Sequence, residues 1–125
     1  MIKENRTLEY KILTDIGEID IYESSGKEKV YIAGAIANDP DHKARFERAK
    51  KHIEKLGYIV MVPTALPPGM TKADYMRIDF AMIDSADVVL FLETSYRSPG
   101  ASLEFAYCDY VGKKYYFMRE KVKVK

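Results

Sequence analysis

The 125-residue sequence holds one cysteine, Cys108. That excludes an internal disulfide framework and fits a reducing compartment, the cytoplasm. Histidine is nearly as scarce. His42 and His52 lie on one charged segment with no second ligand set nearby, so they read as solvated surface residues and no metal site is expected. No apolar run reaches the roughly 18 residues of a membrane span, and the start carries no signal-peptide pattern. An excess of one charge is missing too. The formal net charge is +1, which gives no reason to expect an extended nucleic-acid or membrane surface. Two phosphate signatures are absent: Gly34-Ala35-Ile36-Ala37 does not make the dinucleotide fingerprint, and no Walker loop occurs. These absences argue against a nicotinamide-dependent dehydrogenase and a nucleoside triphosphatase, and no cofactor is expected.

What is present fits one globular domain with a proper core, at 47% hydrophobic and 31% charged residues. Four segments read as buried parallel strands: Val30–Gly34, Tyr58–Val62, Val88–Leu92 and Tyr115–Met118. Helical patterns separate them. The first runs from about Asp39, a candidate N-cap, to Leu56, with Gly57 as its stop and Phe46, Ala49, Ile53 and Leu56 on one apolar face. The second follows a turn-rich loop, Pro63 to Met70, and opens on Thr71 with Asp74 in a capping-box arrangement; it reaches about Ser85. The third runs from Ser98 to about Val111 and stops at Gly112. This order predicts an α/β fold, a doubly wound, flavodoxin- or Rossmann-like sheet of four parallel strands with the first strand central. Ligands then bind outside the carboxyl ends of the strands, at the loops Gly34–Asp39, Pro63–Met70 and Glu93–Pro99. Residues 1–28 depart from the repeat. Leu8, Tyr10 and Ile12 alternate, a turn follows at Asp15-Ile16-Gly17, and Ile19 and Ile21 alternate again, which reads as a β-hairpin added to an α/β domain over 29–125. Lys121–Lys125 reads as a solvated or frayed tail.

The most informative stretch is Ser98-Pro99-Gly100-Ala101-Ser102-Leu103-Glu104. Ser98 suits an N-cap and Pro99 the first helical position. Gly100 allows close approach to the backbone, and free N–H groups at the helix start, at Gly100 and Ala101, favour an anion. The positive helix end helps keep Glu104 ionised. A phosphate cradle beside an ionised carboxylate suits an enzyme acting on a small phosphorylated or sugar-bearing molecule. Glu104 shares a partly apolar face with Gly100, Cys108 and Val111, where a charge needs an explanation. It is either a nucleophile or base, or a surface glutamate at a helix start. Asp79 lies among Tyr75, Met82, Ile83 and Ala86 at helical spacing and is the more anomalous acid. The plain alternative pairs it with Arg77 or a backbone donor. Tyr31, in the first strand, is a core residue unless its hydroxyl meets a polar partner. Asp84 and Asp87 flank a helix-to-strand turn and read as turn and cap residues.

Taken together, Tyr31-Ile32-Ala33-Gly34, Asp79 with Asp87 eight residues on, and the Ser98–Glu104 segment resemble the nucleoside 2-deoxyribosyltransferase superfamily, which includes nucleoside 5′-monophosphate N-glycosidases. The segment from Leu66 to Ala106 more closely resembles a bacterial and phage branch of it. The resemblance implies that Glu104 is the nucleophile at the anomeric carbon, Asp79 assists the departing base, Tyr31 orients the nucleophile, and Gly34, Ser98, Gly100 and Ala101 contact the substrate. It implies cleavage of an N-glycosidic bond by hydrolysis or base exchange, on a small-molecule nucleoside or nucleotide, in a homodimer or larger homo-oligomer. The rival expectation is a catalytically silent module that binds a nucleotide-derived ligand on the same scaffold. Convergence of Glu104, Asp79 and Tyr31 on one place separates the two.

Overall fold

The computed structural model describes residues 6–124. The first five residues of the expected hairpin extension, and Lys125 of the expected tail, lie outside them. Six strands form one sheet: β1 (Arg6–Thr14), β2 (Gly17–Asp20), β3 (Lys29–Ala33), β4 (Ile59–Met61), β5 (Val88–Phe91) and β6 (Tyr115–Val124). The spatial order is β2-β1-β6-β5-β3-β4. β4, β3, β5 and β6 run parallel, while β1 is antiparallel to both β2 and β6. Within the four parallel strands, ordered β6-β5-β3-β4, β3 is interior with a neighbour on each side, and the hairpin extends the sheet beyond β6.

Three helices cover the sheet: α1 (His42–Lys55), α2 (Lys72–Ser85) and α3 (Pro99–Val111). The alternation of β3 divides the core in two. Val30 and Ile32 join Leu90, Leu92 and the α1 residues Phe46, Ala49 and Ile53 in one apolar cluster. Tyr31 and Ala33 turn the other way, to Val89, Phe91, Ile83 of α2 and Cys108 of α3. This two-sided burial is why β3 and β5 read as continuous apolar runs.

Local chemistry explains the helix ends. Thr71 Oγ1 accepts from the Asp74 N–H at 3.1 Å and Asp74 Oδ2 accepts from the Thr71 N–H at 3.3 Å, a complete capping box. Gly112 closes α3 at φ 74°, in the left-handed region that suits glycine. The start of α1 differs from expectation. The helix begins at His42, and Asp39 is a buried turn residue. Its carboxylate accepts from the Asp41 N–H at 3.0 Å and from Arg45 Nε at 2.8 Å, so it serves a turn before the helix and an ion pair within it.

Two further expectations are corrected. Lys121–Val124 is strand: β6 continues to Val124, in register with β1 from Leu13↔Phe117 to Arg6↔Val124. Backbone pairing with a distant strand orders a segment that looked solvated. His52 is half-buried, its ring tilted against Tyr10 at a centroid distance of 4.8 Å, and burial lowers its pKa. The cause is the hairpin, whose Tyr10 and Ile12 enter the α1-side core.

Ile12 is therefore a core residue of the whole sheet. Ile12→Ala should lower the unfolding free energy by about 2–5 kcal/mol, the usual range for truncating a buried isoleucine. Chemical denaturation checks this, and a loss under about 1 kcal/mol would show that the hairpin adds little to the fold.

Candidate active site

Glu104 stands on the second turn of α3 and Asp79 in the middle of α2, both facing the side of β3 that carries Tyr31. All three are buried, with 4%, 7% and 0% of their surfaces exposed. Glu104 Oε2, Asp79 Oδ1 and the Tyr31 hydroxyl have no hydrogen-bond partner among the described residues. Leaving a polar atom dry and unpaired costs about 1–3 kcal/mol, so three together mark a place kept for something other than stability. The plain alternatives for the two acids do not hold. Glu104 is not a surface residue, and Arg77 pairs with Asp74 at 2.7 Å instead of with Asp79.

Electrostatics ties the three into one unit. Burial pushes the Glu104 pKa up to about 8; the Tyr31 hydroxyl nearby opposes the shift and Asp79 adds to it. Burial alone pushes Asp79 up to about 6. Tyr31 is raised well above the ordinary phenol value, by burial first and then by the negative charges of Glu104 and Asp79. Cys108, one turn beyond Glu104, rises to about 11, again by burial first and then by Glu104. The helix start does not keep Glu104 ionised, as its position alone predicts; desolvation outweighs the helix field. Both carboxyls are thus raised towards neutral pH, and the two titrate as a coupled pair.

The other expected residues divide. Ser98 Oγ accepts from the Ala101 N–H at 3.1 Å, and the Ser102 N–H donates to the Ser98 carbonyl at 2.9 Å. Ser98 and Ala101 thus serve the helix cap here, so the cradle offers fewer free donors than the motif promises. Gly100 lies beside them, one turn above Glu104. Gly34 directly follows β3. A Cβ there would meet Leu92 Cδ1 at 3.0 Å and Phe46 Cζ at 3.2 Å, both on the α1 side, so close packing demands this glycine. Asp84 accepts from the Tyr107 hydroxyl of α3 and Asp87 from the Lys29 N–H of β3, so the contacts of these two residues reach other elements and are not the turn and cap bonds expected of them.

One supporting residue escaped the sequence reading. Thr94 is buried, and its Oγ1 accepts from the Ala35 N–H at 3.1 Å, joining the loop after β3 to the loop after β5. Nothing in the sequence singles out a lone threonine whose partner is 59 residues away. Among the described residues no group of three or more His, Cys, Asp or Glu is placed to hold a metal ion, and no helix is long and apolar enough to cross a membrane.

Residues 28–117 match the family described as Domain of unknown function (DUF4406). The chain belongs to this family. No curated protein matches it. Among solved structures it is similar to a 2-desoxiribosyltransferase from Leishmania mexicana, with a TM-score of 0.57 and 18% identity over 72% of this chain and 63% of that one. The chain thus spans less than two thirds of that enzyme's length. At this identity the likeness is one of fold, and it agrees with the superfamily resemblance at that level. Within this DUF4406 chain, Tyr31, Asp79 and Glu104 all fall inside the matched segment.

Two predictions follow from burial and packing. In the unfolded chain Glu104 gives up its proton near the ordinary carboxylate value, whereas the fold holds it until about 8. The folded state therefore binds more protons across that window, and the Glu104 contribution to stability falls as pH rises through it. Glu104→Gln should melt higher than the parent at pH about 8, with the gap closing towards pH about 4; parallel thermal melts with no such trend would refute the buried acid. Gly34→Ala should destabilise by about 1–3 kcal/mol through overpacking. A Cβ on Gly100 meets only ordinary contacts, at 3.7 Å and beyond, so Gly100→Ala should be nearly neutral in the same denaturation assay.

Proposed function

We propose that this protein cleaves the N-glycosidic bond of a nucleoside or nucleoside 5′-monophosphate, by hydrolysis or by base exchange. One observation carries the reading: Glu104, Asp79 and Tyr31, the residues that match the superfamily's nucleophile, acid and positioning group, meet in one buried seam with polar atoms left unpaired.

In this reading a Glu104 oxygen bonds to the anomeric carbon as the carbon–nitrogen bond breaks, and the electron pair leaves with the base. The transition state resembles an oxocarbenium ion, and a carboxylate in a dry site stabilises that positive charge strongly. The base nitrogen takes up a proton, supplied by Asp79. Water, or an incoming base, then attacks the anomeric carbon of the glycosyl ester, gives its proton to the Asp79 carboxylate and releases Glu104 as carboxylate. The pair needs one proton for this work, on Asp79. Burial raises Glu104 as well as Asp79, so before substrate binds the two compete for that proton. A sugar whose anomeric carbon gathers positive charge beside Glu104 decides the competition, since it stabilises the anion there and leaves the proton to Asp79. Tyr31, held in β3 beneath both acids, donates to the anion so formed. Glu104 and Asp79 supply nucleophile and proton, so the proposed step calls on no cofactor. Ser98, Gly100 and Ala101 lie where the 5′ end of such a substrate would reach the start of α3. A homodimer or larger assembly, a cytoplasmic setting and a place in the bacterial and phage branch belong to the same proposal.

The second reading, a module that binds a nucleotide-derived ligand without cleaving it, draws support from the burial that keeps Glu104 protonated near neutral pH. A panel of ribo- and deoxyribonucleosides and their 5′-monophosphates, scored for free base with and without an acceptor base, separates the two. The expected result is release of base from at least one member and loss of turnover in Glu104→Gln, whose amide cannot form the glycosyl ester. A 2-fluoro-sugar analogue of the active substrate should leave a covalent adduct on Glu104, detected by mass spectrometry. Ligand binding without release of base across the panel, or undiminished turnover in Glu104→Gln, would refute the reading.

A further inference from the structure

Seen down α2 and α3, the seam between the helices has three layers. Met76, Asp79 and Ile83 follow one another at i, i+3 and i+7 on α2, and Gly100, Glu104 and Cys108 at i, i+4 and i+8 on α3. Ile83 and Cys108, both fully buried in one apolar cluster, close the bottom layer. Asp79 and Glu104 make the middle layer, over Tyr31. The top layer is Met76 against Gly100: a Cβ built on Gly100 would lie 3.9 Å from Met76 Sδ. Met76 and Gly100 are only half-buried, whereas the acids one turn below are almost wholly covered.

The sheet floors the seam and Ile83 with Cys108 fills its inner end, while the less buried Met76 and Gly100 mark the opening at the top, where α2 and α3 both begin at the carboxyl end of the strands. On the α3 side of that opening stands a residue with no side chain. On the α2 side stands a thioether. Methionine is unbranched, with three rotatable bonds, and moves between rotamers without disturbing the backbone that carries it. A bulky or branched side chain on Gly100 would instead close the gap permanently.

Building on the glycosidase reading of this site, we propose that Met76 is its gate and a specificity-determining residue: the thioether covers Glu104 and Asp79 in the empty protein, swings aside to admit the sugar, and packs against it once bound. Water is thereby kept from the acids until substrate replaces it, which preserves the dry surroundings that a carboxylate needs to act strongly on a developing cation.

The test reads access to Glu104 independently of any turnover. The folded full-length chain is treated with a water-soluble carbodiimide and glycine ethyl ester, and labelling at Glu104 is timed by peptide mass spectrometry, with exposed Asp109 as internal reference. Met76→Ala should raise the Glu104 rate several-fold against Asp109. Met76→Leu, close in volume, should stay near the parent. Met76→Phe should lower the rate, and Gly100→Ala should lower it from the opposite helix. An unchanged Glu104 rate in Met76→Ala, with its melt and its Asp109 rate intact, overturns the gate. If Met76→Ala does not fold, Gly100→Ala decides, and an unchanged Glu104 rate there overturns the gate as well. The same variants assayed on the nucleotide panel should change KM more than kcat. Labelling that responds as expected while no variant releases base upholds the gate and removes the glycosidase reading. Release of base with KM untouched by Met76→Ala removes the gate and leaves that reading standing.

Discussion

Two carboxylic acids and a phenol share a seam from which water is almost excluded, and the rest of the molecule is arranged to keep them there. Glu104, Asp79 and Tyr31 each carry a buried oxygen without a hydrogen-bond partner among the described residues. That arrangement gains local support from the Tyr31 hydroxyl, which favours the Glu104 anion without outweighing its burial. It persists because apolar layers on either side of β3 and β5 hold both helices against the sheet: Ile83, Cys108, Val89 and Phe91 beside the acids, and Phe46, Ala49, Ile53, Ile32 and Leu90 behind them. The destabilising polar groups are enclosed by packed apolar side chains, as expected of a functional constraint held by its surroundings.

The far face braces the carboxyl ends of the strands. Arg45 pairs with Asp39, and Arg48 with Glu120 of β6, whose carboxylate also accepts from the Tyr10 hydroxyl at 2.7 Å. The Arg48 contact spans 72 residues and the Tyr10 contact 110. These bonds, with the Thr94 link to Ala35, tie β1, β6, α1 and the two loops at the switch of strand order into one frame. The loops are where open α/β sheets place ligands. Asn38 Nδ2 adds another tie by donating to the Arg97 carbonyl at 2.9 Å. Beside this frame a cavity of about 300 Å³ remains, lined by Arg45, Leu92, Thr94, Arg97, Met118 and Glu120.

The like-charged pair also shows how environment divides labour between identical groups. Asp79 and Glu104 have the same chemistry, yet deeper burial holds the Glu104 proton to about 8 while Asp79 releases its own near 6. One proton for two acids is the stock from which an anion and an acid are both made, and the bound molecule determines which group is which.

The sequence by itself determined what depends on near neighbours. The Thr71–Asp74 capping box, the Ser98 cap with Pro99 behind it and the Gly112 stop each involve residues within a few positions, so all were legible. The apolar runs of β3 and β5 were legible for a related reason: a strand buried on both faces has no polar side to show. Glu104 and Asp79 stood out singly, as acids on apolar helix faces. Only the tertiary structure decided that these two anomalies share one buried seam, that burial raises both carboxyls, that a side chain at Gly34 would meet Leu92 and Phe46, and that Lys121–Val124 is strand. The physical reason is the same in each case. Desolvation, close packing and strand pairing are set by groups far apart in the chain, such as Leu13 opposite Phe117, and no window of sequence contains both partners.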